Sequence, residues 1–139
     1  MNIKKFDLPI GKYAITGSGP LGIRNLREIV DIDIIVNSEL WNELATKYGI
    51  IDTGQIKKIV LPGELIEVMG EDSFYSVKKD SNAPTISERI AQAEIIEELP
   101  FEALEHVLYY KRKMGREKDL KDIVIIEAWQ KAHYDENKL

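Results

Sequence analysis

Asp31-Ile32-Asp33-Ile34-Ile35-Val36 sets two acids two positions apart in a run of β-branched residues. Side chains alternate along an extended strand, so Asp31, Asp33 and Ile35 share one face and Ile32, Ile34 and Val36 the other. Cα atoms about 6.5 Å apart let the two carboxylates converge on one cation, or on two cations about 3.5–4 Å apart. The run from Glu64 to Met69 repeats the device, with Glu67 between Leu65 and Met69 on one face and Ile66 and Val68 on the other. An unpaired carboxylate among apolar neighbours costs several kcal/mol, so a cation or a basic side chain must stand nearby. Oxygen ligands alone select a hard ion, Mg²⁺ or Mn²⁺. Glu64 and Asp72 are the alternative third acids. Upstream, Gly17-Ser18-Gly19-Pro20 offers backbone N–H groups, a hydroxyl and a helix start, which together receive phosphate oxygens. A phosphate receptor beside metal-binding carboxylates is nucleotide chemistry.

Other candidates have two readings each. Arg24 and Arg27 stand at i, i+3 on a helical face, where they reach a triphosphate or tether acids nearby, Glu67 among them. Lys111 is either a phosphate contact or a solvated helix residue. Arg116, Asp119 and Asp122 recur at spacings of three, and the two acids are expected to orient Lys111 or Arg116. His106 and His133 read as surface residues, Trp41 and Trp129 as core. Gly17 to Gly22 also fits G-x-G-x-x-G, but a dinucleotide fold wants its ribose-binding acid at the far end of the second strand. Here Asp31 and Asp33 stand at its start, so that fold is set aside.

The elements that must position these groups follow from periodicity and punctuation. Strands are expected at residues 12–16, 31–36, 55–61, 64–69 and 93–97, the third and fourth joined as a hairpin at Pro62-Gly63. A helix is expected from Pro20 to about Glu28. A second, capped by Asn37 or Ser38 and ended by Gly49, carries Trp41, Leu44, Ala45 and Tyr48 on one face. Thr85-Ile86-Ser87-Glu88 is a capping box opening a short helix. Two last helices run over about 102–114 and 116–133, with Gly115 between them. Residues 70–84 read as a polar surface loop.

The 139 residues hold 19 basic and 24 acidic side chains, a net charge of −5. That length fits one domain, 1–139, and the hydrophobic share of 44% supplies a core. The acidic balance disfavours a nucleic-acid coat, although Lys111, Arg112, Lys113, Arg116 and Lys118 form a local basic patch that keeps RNA as a lesser partner. With no cysteine and two histidines, a thiol nucleophile, a disulfide framework and a Cys/His zinc site are excluded. The start has no apolar core of a secretory signal, and no apolar run nears the roughly 20 residues of a membrane span, so a cytoplasmic protein is expected.

In order along the chain, Gly17-Ser18, a helix, Asp31-Ile32-Asp33 in an apolar strand and Glu67 in a later strand resemble the nucleotidyltransferase superfamily related to DNA polymerase β, in its small single-domain form. Tyr110-Lys111-Arg112 and the stretch Gly115 to Asp122 are similar to the tail of minimal nucleotidyltransferase-like proteins, toxins and aminoglycoside-modifying enzymes included. The resemblance spans roughly residues 12 to 126. It implies an α/β nucleotidyltransferase fold, a mixed β-sheet of about four strands flanked by helices with a C-terminal helix pair. The implied activity moves a nucleoside monophosphate from an NTP to a hydroxyl, releasing pyrophosphate. Asp31 and Asp33 would bind two Mg²⁺ ions with Glu67 as third ligand and activator of the hydroxyl, and Gly17, Ser18, Arg27 and Lys111 would contact the nucleotide. The alternatives are a nucleotide-binding or interaction protein on this fold that no longer catalyses, and a toxin-like enzyme that modifies tRNA.

Overall fold

The two acid-bearing runs become parallel neighbours, β2 (Ile32–Val36) and β5 (Ile66–Met69), in a computed structural model that describes residues 3–29, 31–63, 66–74 and 82–137. Their register sets Asp33 opposite Glu67 and Ile35 opposite Met69. On the other side of β2 lies β1 (Tyr13–Thr16), antiparallel, with Thr16 opposite Asp33. The sheet is completed by β3 (Ile51–Asp52), β4 (Lys57–Val60), β6 (Glu94–Ile96) and β7 (Leu99–Phe101). Its order is β3-β4-β5-β2-β1-β7-β6, with β1–β7 and β2–β5 parallel and the other pairs antiparallel.

The fold is therefore α/β with a mixed sheet flanked by helices, as expected, but among the described residues the sheet has seven strands where about four were expected. The β6–β7 hairpin accounts for part of the difference. Its turn residues Glu97 and Glu98 both have positive φ, 51° and 69°, the geometry of a tight hairpin turn usually advertised by Asn-Gly. Two glutamates give no such signal, and Pro100 inside β7 argued against a strand.

Alternation sorts the sheet's two faces. Ile32, Ile34, Val36, Ile66, Val68 and Ile59 point into the main core, covered by α2 (Ser38–Tyr48) through Leu40 and Leu44, with Trp41, Ala45 and Tyr48 packed against its edge. Asn37 caps α2 by accepting a hydrogen bond from the Leu40 N–H at 2.9 Å, and Gly49 ends it at φ +82°. On the opposite face Ala14 and Ile35 meet Ile90 of α3 (Ile86–Ala91), which Thr85 caps through the Glu88 N–H. A third cluster joins Leu21 to Leu104, Val107, Leu108 and Ile126. These belong to the C-terminal pair α4 (Leu104–Met114) and α5 (Glu117–Asn137), which turn at Gly115 with φ +59°. Trp129 packs on that cluster.

Two expectations need correction. The helix after the glycine turn, α1, covers only Gly19–Gly22 and does not run to Glu28. Asn25 takes φ +58° and the chain doubles back, bringing Ile29 so close to Gly22 that a Cβ there would lie 1.9 Å from it. His106 is buried, not at the surface, because α4 turns it inward beside Leu104, Val107 and Leu108, and its Nδ1 has no hydrogen-bond partner among the described residues. His133 is half-buried and stacks on Trp129 with ring centroids 3.8 Å apart. Glu64 and residues 75–81 of the expected 70–84 loop lie outside the described residues. No helix among the described residues is long and apolar enough to cross a membrane.

Candidate active site

A cleft of about 880 Å³ opens over the sheet face that carries Asp33, Ile35, Glu67 and Met69. Thr16 and Gly17 form its floor at the end of β1, and Lys111 of α4 with Arg116, Lys118 and Asp119 at the start of α5 face them. Gly17 is fixed there twice over: its φ is +66°, and a Cβ would sit 2.8 Å from Asp33 Oδ2. Only a glycine lets the turn lie against that carboxylate.

Asp33 is mostly buried, and burial, then the negative charges of Glu67 and Asp31, push its carboxyl up from 3.8 to about 6, against the pull of Lys118 and Lys111. Asp33 and Glu67 stand side by side on adjacent strands, and a pair of carboxylates of this kind is an oxygen donor set that suits a hard divalent cation. The acids are not yet gathered around one point, however. Asp31 is exposed, one residue ahead of β2, and does not line the cleft. Glu67 accepts a hydrogen bond from Lys58 Nζ at 2.8 Å. Among the described residues no three Asp, Glu or His side chains are grouped to hold a metal ion.

The Ser18 hydroxyl donates to the Asp31 carbonyl at 3.4 Å, tying the glycine turn to the start of β2. Neither arginine lines the cleft. Arg24 donates to the Pro20 carbonyl and pairs with Glu94, with its guanidinium 5.2 Å from the centre of the Trp129 ring. Arg27 Nη1 donates to both oxygens of Asp122, at 2.9 and 2.8 Å. The tethering reading of these arginines holds in kind, but the acids tethered are Glu94 and Asp122 and not Glu67.

Asp122 also receives Lys111, whose Nζ lies 2.9 Å from its Oδ2 and 3.9 Å from Asp119 Oδ1. Asp119, 1% exposed, accepts from the Arg116 N–H at 3.0 Å and from its Nε at 2.6 Å. Burial alone would raise Asp119, but the Arg116 hydrogen bonds and charge, with Lys111, hold it below the usual carboxylate range. The buried acids thus aim two cations at the cleft. If the cleft takes an NTP, as the sequence leads one to expect, Lys111→Ala should weaken its binding about tenfold with little change in melting temperature, because Arg27 still satisfies Asp122 when the lysine is removed. Asp119→Ala should lower both. Calorimetry on the two variants checks this, and wild-type affinity in Lys111→Ala would take that lysine out of the site.

A buried network beside the cleft escaped the sequence. Glu102, 0% exposed, is gripped by Arg89 of α3 through Nε and through Nη2, the latter at 3.1 Å from Oε1. Thr16 Oγ1 donates to Glu102 Oε1 at 2.7 Å, immediately before Gly17. The Arg89 guanidinium lies 4.0 Å from the centre of the Tyr110 ring, and the Tyr110 hydroxyl donates to the Pro84 carbonyl at 2.9 Å. Glu102 read as the first residue of a helix; its sole clue is its place between Phe101 and Ala103, both buried. Lys58 was legible in principle, since the Pro62-Gly63 hairpin brings it toward Glu67.

No protein-family model matches the chain, and no curated protein sequence matches it. Among solved structures it is similar to a Thermotoga maritima protein described as a "putative nucleotidyltransferase", with 15% identity and a TM-score of 0.48 over 87% of this chain and 83% of that one. Neither the fold nor the activity rests on so distant a likeness.

Proposed function

We propose that the cleft binds a nucleoside triphosphate with Mg²⁺ or Mn²⁺ and transfers its nucleoside monophosphate to a hydroxyl of an acceptor, releasing pyrophosphate. The observation that carries this reading is the side-by-side placement of Asp33 and Glu67 on one sheet face, with Gly17 against Asp33 and Lys111 and Lys118 opposite. Asp33 and Glu67, with Asp31 just ahead of β2, are the residues that would hold the metal. When bound, the ion stabilises charge on the attacking and leaving oxygens.

The protein's own groups do the rest. The close turn at Gly17 and Ser18 leaves room for the β- and γ-phosphates where a side chain would block them. Lys111 and Lys118 meet the triphosphate's charge and stay with the departing pyrophosphate. Arg27 supports this from behind by holding Asp122, the partner of Lys111. Glu67 takes the proton of the acceptor hydroxyl. The acceptor is a small molecule, a protein or an RNA, the last least favoured by the net charge of −5.

The ion pair of Glu67 with Lys58 favours a second reading, a nucleotide-binding protein that does not catalyse. One experiment separates them. The pure protein is incubated with each α-labelled NTP, Mg²⁺ and a cell extract. Label on an acceptor together with released pyrophosphate supports transfer, and nucleotide binding without release selects the second reading. Label on tRNA would identify the acceptor as RNA.

A further inference from the structure

The cation on Glu67 belongs to the fold. β4 runs antiparallel to β5 with Val60 opposite Glu67, so Lys58, two residues back on the same face, reaches diagonally across to the carboxylate. The two side chains are 24% and 39% exposed, a half-buried pair in which each partner shields the other from water. Asp33 stands next to Glu67 in the register on the β2 side, so Glu67 lies between Asp33 and the lysine that reaches it from β4. Glu67 lies within the cleft and belongs to no three-acid group among the described residues.

We propose that Lys58 is a displaceable internal cation: in the ligand-free protein it holds Glu67 away from the metal position, and it yields the carboxylate when the metal and nucleotide arrive. The inference rests on the metal-dependent reading given above. Lys58 is then a positioning residue that acts through Glu67. It neutralises the third acid while the site is empty, which limits the repulsion between Glu67 and Asp33. It also sets a threshold on metal binding, because the ion must displace an ammonium group that already sits 2.8 Å from Glu67 Oε1.

Mn²⁺ titration of the full chain without nucleotide, followed by the electron paramagnetic resonance of free Mn²⁺, tests this without any turnover. Lys58→Met keeps the packing of the stem and removes the charge, and should bind Mn²⁺ about tenfold more tightly than wild type. Lys58→Arg should behave as wild type. Glu67→Gln should weaken Mn²⁺ binding relative to wild type, and in the double variant Lys58→Met/Glu67→Gln the tenfold gain from Lys58→Met should be lost. Lys58→Gln should give the same answer, so an unstable methionine variant does not end the test. Equal affinity in wild type and Lys58→Met, or a gain that survives Glu67→Gln, overturns this inference and leaves the metal-dependent reading standing. Absence of Mn²⁺ binding in every variant overturns both.

Discussion

Asp33→Asn should raise the melting temperature of the ligand-free protein while abolishing the proposed nucleotidyl transfer. The two effects have one cause. Folding places Asp33 among buried surroundings beside Glu67 and Asp31, lifting its carboxyl from 3.8 to about 6. The folded chain therefore holds that proton to higher pH than the unfolded chain does. Stability contributed by this group is intact below pH 4, falls as the pH rises from about 4 to 6, and stays reduced above that. At neutral pH the loss is at most roughly 3 kcal/mol. Asparagine removes the charge and recovers part of it, so the variant should melt several degrees higher at pH 7 and show a flatter pH dependence. Its transfer rate should drop by roughly 10³-fold or more, since a ligand used in the transition state is lost without opening a core cavity. Thermal melts from pH 4 to 8 and an assay of pyrophosphate release check both halves. A variant that melts lower at pH 7 would show that the carboxylate is structurally satisfied and carries no unmet charge.

Arg89→Ala should have the largest effect on folding. Glu102 is 0% exposed, and without the guanidinium the Thr16 hydroxyl is its one remaining side-chain partner among the described residues. An uncompensated buried carboxylate costs about 3–5 kcal/mol, a large part of a domain's whole stability. Exchanging both partners for apolar residues of similar size, Arg89→Met/Glu102→Leu, should recover most of that loss. The double variant should still bind NTP poorly, because Thr16 no longer anchors the Gly17 turn against Asp33. Chemical denaturation of the single and double variants, with nucleotide binding by calorimetry, distinguishes an energetic role from a positioning one. Full NTP affinity in the double variant would confine the network to stability.

What the sequence made legible was whatever alternation and end signals encode. The shared face of Asp33 and Glu67 follows from strict period two in both runs, and a one-residue slip would have sent both acids into the Ile34 and Val68 core. Asn37, Thr85, Gly49 and Gly115 mark helix ends because their side chains or backbone angles satisfy the terminal groups locally. The failures are non-local. α1 ends at Gly22 and Asn25 turns the chain at φ +58°, which brings Ile29 against Gly22, a contact that no periodicity in residues 20–28 announces. Arg27 finds Asp122 ninety-five positions along the chain. The Arg89–Glu102–Thr16 network joins three elements, each of which reads as ordinary when taken alone. Charges that pair across elements leave no periodic trace, and in this site they decide which side chain faces the cleft.

Thermal melting of wild type and Asp33→Asn with NTP and Mg²⁺, against each alone, tests most directly whether this cleft is a metal–nucleotide site, and it needs no knowledge of the acceptor. At ligand concentrations 100 times the dissociation constant the wild type should gain about 2.7 kcal/mol. The part of that gain that depends on Mg²⁺ should vanish in Asp33→Asn. Equal, metal-dependent stabilisation of the two proteins would contradict the assignment of Asp33 to the metal.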